Sequence, residues 1–176
     1  MIQRHRLTAG FIALCIAGSF GTAKADDTAS VKKTIQAIYA KVAAAAAKKD
    51  AKGMMIHLAP DYEETTLEGT VVKMPAIKTN MQNVMEKLKS LNISVVVSKL
   101  TLKGDKATVI NKDTVNMVAT NPQTKTEMKI VLEETNEAQW EKRGGAWLVK
   151  SSKTLSMKQV VDGKEIPTPK KQPKKG

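Results

Sequence analysis

The chain has 176 residues, a net charge of +12, a single cysteine and an aromatic content of only 3%. One cysteine excludes an intrachain disulfide framework, and so few aromatics leave no stacking platforms for a single-stranded nucleic-acid binder. The length suits one domain.

The N-terminus carries the pattern of a cleavable export signal over residues 1–25. Arg4, His5 and Arg6 form a basic start, Phe11 to Ala17 an apolar middle, and Ala23-Lys24-Ala25 a small-x-small cleavage site. The apolar stretch falls far short of the roughly 20 residues that span a bilayer. Leu14 stands before Cys15 where a lipoprotein signal needs a small residue. Cleavage after Ala25 removes Cys15, Phe11 and Phe20, so the exported chain has no thiol and no Phe. That composition points to a periplasmic or secreted protein held together by its core alone. Losing Arg4, Arg6 and Lys24 takes the net charge from +12 to +9, and setting aside Lys170, Lys171, Lys174 and Lys175 takes it to +5. The domain is expected over 26–160, with a disordered Pro/Lys tail over 161–176.

Val31, Ile35, Ile38, Val42 and Ala46 recur at helical spacing and predict a long first helix that closes at Lys48-Lys49. Asp50 to Gly53 breaks it. Met54, Met55 and Leu58 suggest a short second helix stopped by Pro60. Asp61 to Met74 reads as β with a bend at Glu68-Gly69. Pro75 opens a third helix bearing Ile77, Met81, Val84, Met85 and Leu88, with Lys89-Ser90 at its end. From Leu91 the period becomes two, and turn residues at 104–105, 121–122 and 144–145 separate strands over 92–103, 106–119, 125–142 and 146–158. The expected fold is α+β: a curved antiparallel sheet of four long strands plus a short one, wrapped around a long N-terminal helix and two further helices.

Lys49-Asp50 at the end of the first helix, Leu58-Ala-Pro-Asp-Tyr62, and the hairpin Trp140-Glu-Lys-Arg-Gly-Gly-Ala-Trp147-Leu-Val149 carry a resemblance. Over residues 30–158 the chain resembles the nuclear-transport-factor-2-like superfamily, including its SnoaL-like and ketosteroid-isomerase-like members. The resemblance implies a cone-shaped, cystatin-like fold whose helices line the concave sheet face, often around a pocket. It transfers no catalytic residue, because no position matches an enzyme family's motif.

Strand alternation with two-residue turns sets Trp140 opposite Val149, Ala138 opposite Ser151 and Asn136 opposite Lys153. On that phase Asn111, Asp113, Glu134, Asn136, Ser151 and Lys153 meet at the centre of the concave face, with Lys153 paired to Glu134 or Asp113, and Tyr62 closes the pocket mouth. Two functions compete for this patch. One is non-enzymatic binding of a small apolar or amphipathic ligand, or of a protein partner. The other is isomerase- or hydrolase-type catalysis with Asp113 or Glu134 as general base. Lys153 and the carboxylates have a bland reading too, as an ion pair that fills the cone or a row turned outward by a register slip.

No cofactor motif or metal-ligand set is present, and His57 alone remains of the histidines after cleavage. The outer sheet face carries Lys129, Glu133, Thr135, Glu137 and Gln139 beside Lys150, Ser152 and Thr154, a solvated surface or a weak homodimer contact. The tail lysines Lys170, Lys171, Lys174 and Lys175 read first as a solvated solubility tail and next as a contact for an anionic envelope surface, whereas nucleic acid is not an expected partner.

Overall fold

The computed structural model describes residues 27–121 and 123–167. The expected signal peptide and the lysines of the tail lie outside the described residues. Helix α1 spans Thr28–Ala47, and Asp27 caps it by accepting the Ser30 N–H at 2.6 Å. It ends at Lys48-Lys49, where Lys49 takes a left-handed φ of 53°. Asp50 then starts a second helix, α2, Ala51–Met55, by accepting the Gly53 N–H, so Gly53 lies inside this helix. A Cβ on Gly53 would come within 2.5 Å of Asp50 Oδ2, so a larger residue there would push the capping carboxylate aside.

Leu58 and Pro60 belong to a strand, β1, Leu58–Thr65, and do not extend or stop α2. Pairing of β1 shifts register between Leu58 and Glu63. Pro60 falls in that irregular stretch, where its missing N–H costs no ladder bond. After a turn at Gly69 (φ 92°) come β2, Val71–Lys73, and helix α3, Met74–Lys87, with Pro75 in its first turn. The chain passes from α3 directly into β3, Leu88–Lys103, so Lys89 and Ser90 are strand residues. Strands β4, Lys106–Thr120, β5, Glu127–Arg143, and β6, Ala146–Val161, complete the meander. Gly144 and Gly145 both have positive φ, as a tight two-residue hairpin turn requires.

The sheet order is β2-β1-β6-β5-β4-β3. It is mixed and not purely antiparallel, because β1 runs parallel to β6. A seventh strand, β7, Lys164–Ile166, pairs with β6 after a turn at Asp162-Gly163, where both residues have positive φ. Residues 161–167 are therefore ordered, which shortens the expected tail. Asp162 secures the turn by accepting the Lys129 N–H at 2.8 Å.

Bulges bend the sheet at Ser98 in β3 and twice in β6. On the edge strand β3, the Gln36 amide of α1 donates to Val95 O at 2.8 Å and accepts the Val97 N–H at 3.1 Å. This occupies backbone groups that an open edge would offer to another chain.

The concave face holds two apolar clusters. Val31, Ile35 and Ile38 of α1 pack with Val97, Val109, Ala138, Trp140 and Val149. Nearer the other end, Ala46, Met54 and Met85 pack with Leu88, Leu91 and Ala119, flanked by Met81, Met117 and Met128. Each fully buried large side chain stabilises the fold by roughly 1.5–3 kcal/mol. With no Phe among the described residues, flexible methionines fill the second cluster.

Candidate functional site

Between the two clusters the concave face is polar. Asn111 (3% exposed) and Asn136 (7%) are its buried centre and lie directly opposite one another on β4 and β5. Asp113 and Glu134 form the next cross-strand pair, half-buried. The amides organise the carboxylates. Asn111 Nδ2 donates to Asp113 Oδ1 at 2.6 Å, and Asn136 Nδ2 donates to Asp113 Oδ2 at 2.9 Å and to Glu134 Oε2 at 3.4 Å. Tyr39 of α1 donates its hydroxyl to Asn111 Oδ1 at 3.3 Å. Its ring meets Trp140 edge-to-face at 5.5 Å.

Burial pushes the Asp113 carboxyl above its ordinary range, and the two asparagine amides offset only part of that. Glu134 is raised by burial too, then further by the charges of Asp113 and Glu64, against the single Asn136 contact. Glu64, on β1, is itself raised by burial. The phenols of Tyr39 and Tyr62 are pushed up chiefly by burial, helped by Asp113 and Glu64 respectively. The band is thus rich in carboxylates that the fold disfavours as charges.

The structure brings together Asn111, Asp113, Glu134 and Asn136, and sets the buried Tyr62 beside Glu64. It separates Ser151 and Lys153 from them. Lys150 bulges out of β6, so Gln139 pairs Ser151, Ala138 pairs Ser152 and Asn136 pairs Thr154. Lys153 lies opposite Glu137 on the outer face and is exposed, so it pairs with neither Glu134 nor Asp113. Ser152 takes the inward position opposite Ala138, close to Tyr62. A second bulge at Leu155 returns Met157 to the inside, opposite Glu134, and leaves Leu155 43% exposed. Ser152 and Thr154 consequently leave the outer surface on which alternation had set them.

Glu64 and Tyr39 were absent from the expected site. Glu64 reaches it because β1 docks alongside β6, with Glu64 opposite Ser152. The alternation of Tyr62 and Glu64 was the available signal, masked by Pro60. A groove of about 350 Å³ lies at this level of the sheet. Lys112, Asp113, Thr114, Glu133, Glu134, Thr135, Ser156, Met157 and Lys158 line it; alternation sets six of these on the outer face, while Asp113, Glu134 and Met157 belong to the inner one.

His57 is lowered by burial and by Lys41, and its carbonyl accepts the Val149 N–H at 2.9 Å, a structural tie. Among the described residues no group of three His, Cys, Asp or Glu side chains could hold a metal ion.

A bent sheet with helices against its concave face is the cone fold of the nuclear-transport-factor-2-like superfamily. No family model matches the chain, and no curated protein matches it. Solved structures do. A hexachlorocyclohexane dehydrochlorinase from Novosphingobium barchaimii shares 16% identity at a TM-score of 0.57, covering 80% of this chain and 97% of that one. A conserved protein from Planctomyces limnophilus aligns at 0.61 with 10% identity, over 71% of this chain and 94% of its own. A Nostoc punctiforme domain described as cystatin-like, of unknown function, aligns at 0.56 with 16% identity, over 73% and 78%. These likenesses are of fold, and the fold serves enzymes and proteins of unknown function alike.

Proposed function

We propose that this protein is an exported, non-enzymatic binding domain whose concave face takes a small amphipathic ligand with a cationic group. One observation carries the reading: Glu64, Asp113 and Glu134 share a polar band flanked by two apolar clusters, and burial raises all three. A cation relieves the cost of such carboxylates, and an apolar body suits the neighbouring walls. Export rests on the basic, apolar and small-x-small segments of residues 1–25.

The test uses protein recovered from a bacterial periplasm, its N-terminus sequenced and then titrated by calorimetry with dodecyltrimethylammonium below its micellar concentration. An N-terminus at Asp26 is expected, with saturable binding that falls at least tenfold in a Glu134→Gln, Glu64→Gln double variant. Equal binding by the double variant, or by neutral dodecyl maltoside, would refute the ligand class. Retention in the cytoplasm would refute export.

One observation favours a catalytic alternative. Glu134 keeps only a long 3.4 Å hydrogen bond, leaving a carboxylate with a raised pKa available as a general base for isomerase- or hydrolase-type chemistry. Asp113 is less suited, because amides occupy both of its oxygens.

A further inference from the structure

The net charge of the described residues is unevenly placed. The segments that build the helical layer, residues 27–55 and 74–87, hold eight lysines against Asp27, Asp50 and Glu86. The remaining described residues hold fourteen basic and thirteen acidic side chains, so the sheet and its loops are close to neutral. The pairing differs in the same way. On the sheet Lys89 meets Glu127, Lys158 meets Glu165, Arg143 meets both Asp61 and Glu141, and Lys150 meets Asp61. None of the eight helical-layer lysines closes an ion pair among the described residues, and all eight are exposed. Lys49 alone has a recorded polar partner, Leu88 O at 3.0 Å.

Helix α1 turns Val31, Ile35, Ile38 and Ala46 to the sheet, which sets Lys33, Ala37, Ala40 and Ala44 outward. Ala29, Lys32, Lys33, Ala37 and Ala40 share this side of α1, so small alanines lie between the lysines.

We infer that the helical layer is a docking face for an anionic phospholipid surface. Cations spread over three helices, without acidic partners, complement an extended plane of negative charge better than a single anionic group. The small alanines let α1 approach that plane closely, so that the lysines beside them reach lipid phosphates, which a flat bilayer surface offers more readily than a folded acidic protein. No large apolar or aromatic side chain projects from the outward stripe of α1, so attachment is electrostatic and reversible. Binding therefore weakens as salt shortens the Debye length. This face is opposite the carboxylate band's sheet and needs no ligand in the cone.

The test floats the chain beginning at Asp26 with vesicles of equal parts phosphatidylglycerol and phosphatidylcholine, and with pure phosphatidylcholine. Partition into the mixed vesicles at low salt is expected, at least tenfold stronger than into pure phosphatidylcholine. The Lys32→Glu, Lys33→Glu, Lys41→Glu variant is expected to lose at least tenfold. The matching Gln variant, with thermal melts on both, guards against a folding defect by losing affinity while melting like wild type. Neutralising Lys170, Lys171, Lys174 and Lys175 with Gln is expected to cost less than the helical reversal. Undiminished binding by both helical variants, loss in the tail variant alone, or equal partition into the two vesicles would overturn the inference. Tighter binding to soluble polyglutamate than to mixed vesicles would overturn it in favour of an acidic protein partner.

Discussion

Glu134 is the carboxylate of the band whose charge is least compensated, and this gives it a measurable signature. Asp113 receives two amide hydrogen bonds, whereas Glu134 receives one long one and faces the charges of Asp113 and Glu64. A carboxyl raised in the folded state binds its proton more tightly there than in the unfolded chain. Its contribution favours the fold at low pH and is lost as pH rises through the folded value. His57 works the other way, since its lowered pKa makes the fold lose stability as pH falls below the ordinary histidine value. Comparing wild type with Glu134→Gln cancels His57, which both proteins share. Urea melts between pH 5 and 8 are expected to show the variant gaining on wild type as pH rises, while parallel curves would mean that Glu134 ionises as it does in the unfolded chain. Asp61 sits outside this window: Lys150 and then Arg143 hold it down at about 2, so its ion pairs persist until strongly acid pH.

At the scale of elements, strands and turns were legible because each had a local cause. Gly144-Gly145 fixes one hairpin, and period two held through β4 and β5, so Asn111, Asp113, Glu134 and Asn136 fell where alternation set them. Ser151 and Lys153 did not, because a bulge inserts one residue and reverses every side chain beyond it. Around Lys150 nothing local marks that insertion, since serine, lysine and threonine suit either face. Glu64 depended on β1 docking parallel to a strand almost ninety positions away, which no local pattern encodes. Helix α3 was legible but differs in its hold on the fold. It buries Ile77 and Met85 only, while Val84 stays 43% exposed. Met85→Ala is expected to cost about 2–5 kcal/mol by emptying the methionine cluster, and Val84→Ala about 0.5 kcal/mol or less. Chemical denaturation compares the two. Equal costs would mean that the cluster does not anchor the helix.

Considered whole, the molecule joins a rigid part to a lightly held one. Strands β4 and β5 are paired on both sides along nearly their full length, and both apolar clusters rest on them. Helix α3 touches both clusters through one buried side chain each, Ile77 in the first and Met85 in the methionine-rich one. Opening α3 exposes little apolar surface, whereas opening β4 or β5 disrupts both clusters, so the two events differ widely in free energy. Amide hydrogen exchange is therefore expected to be orders of magnitude faster in 78–87 than in the central residues of β4 and β5. On the proposed function, the same opening is the expected route of the ligand to the carboxylate band. An amphipathic cation that fills the band stabilises the closed form and slows exchange in α3 more than in β4. If dodecyltrimethylammonium binds and α3 exchange stays unchanged, the ligand enters elsewhere and α3 is only a cover.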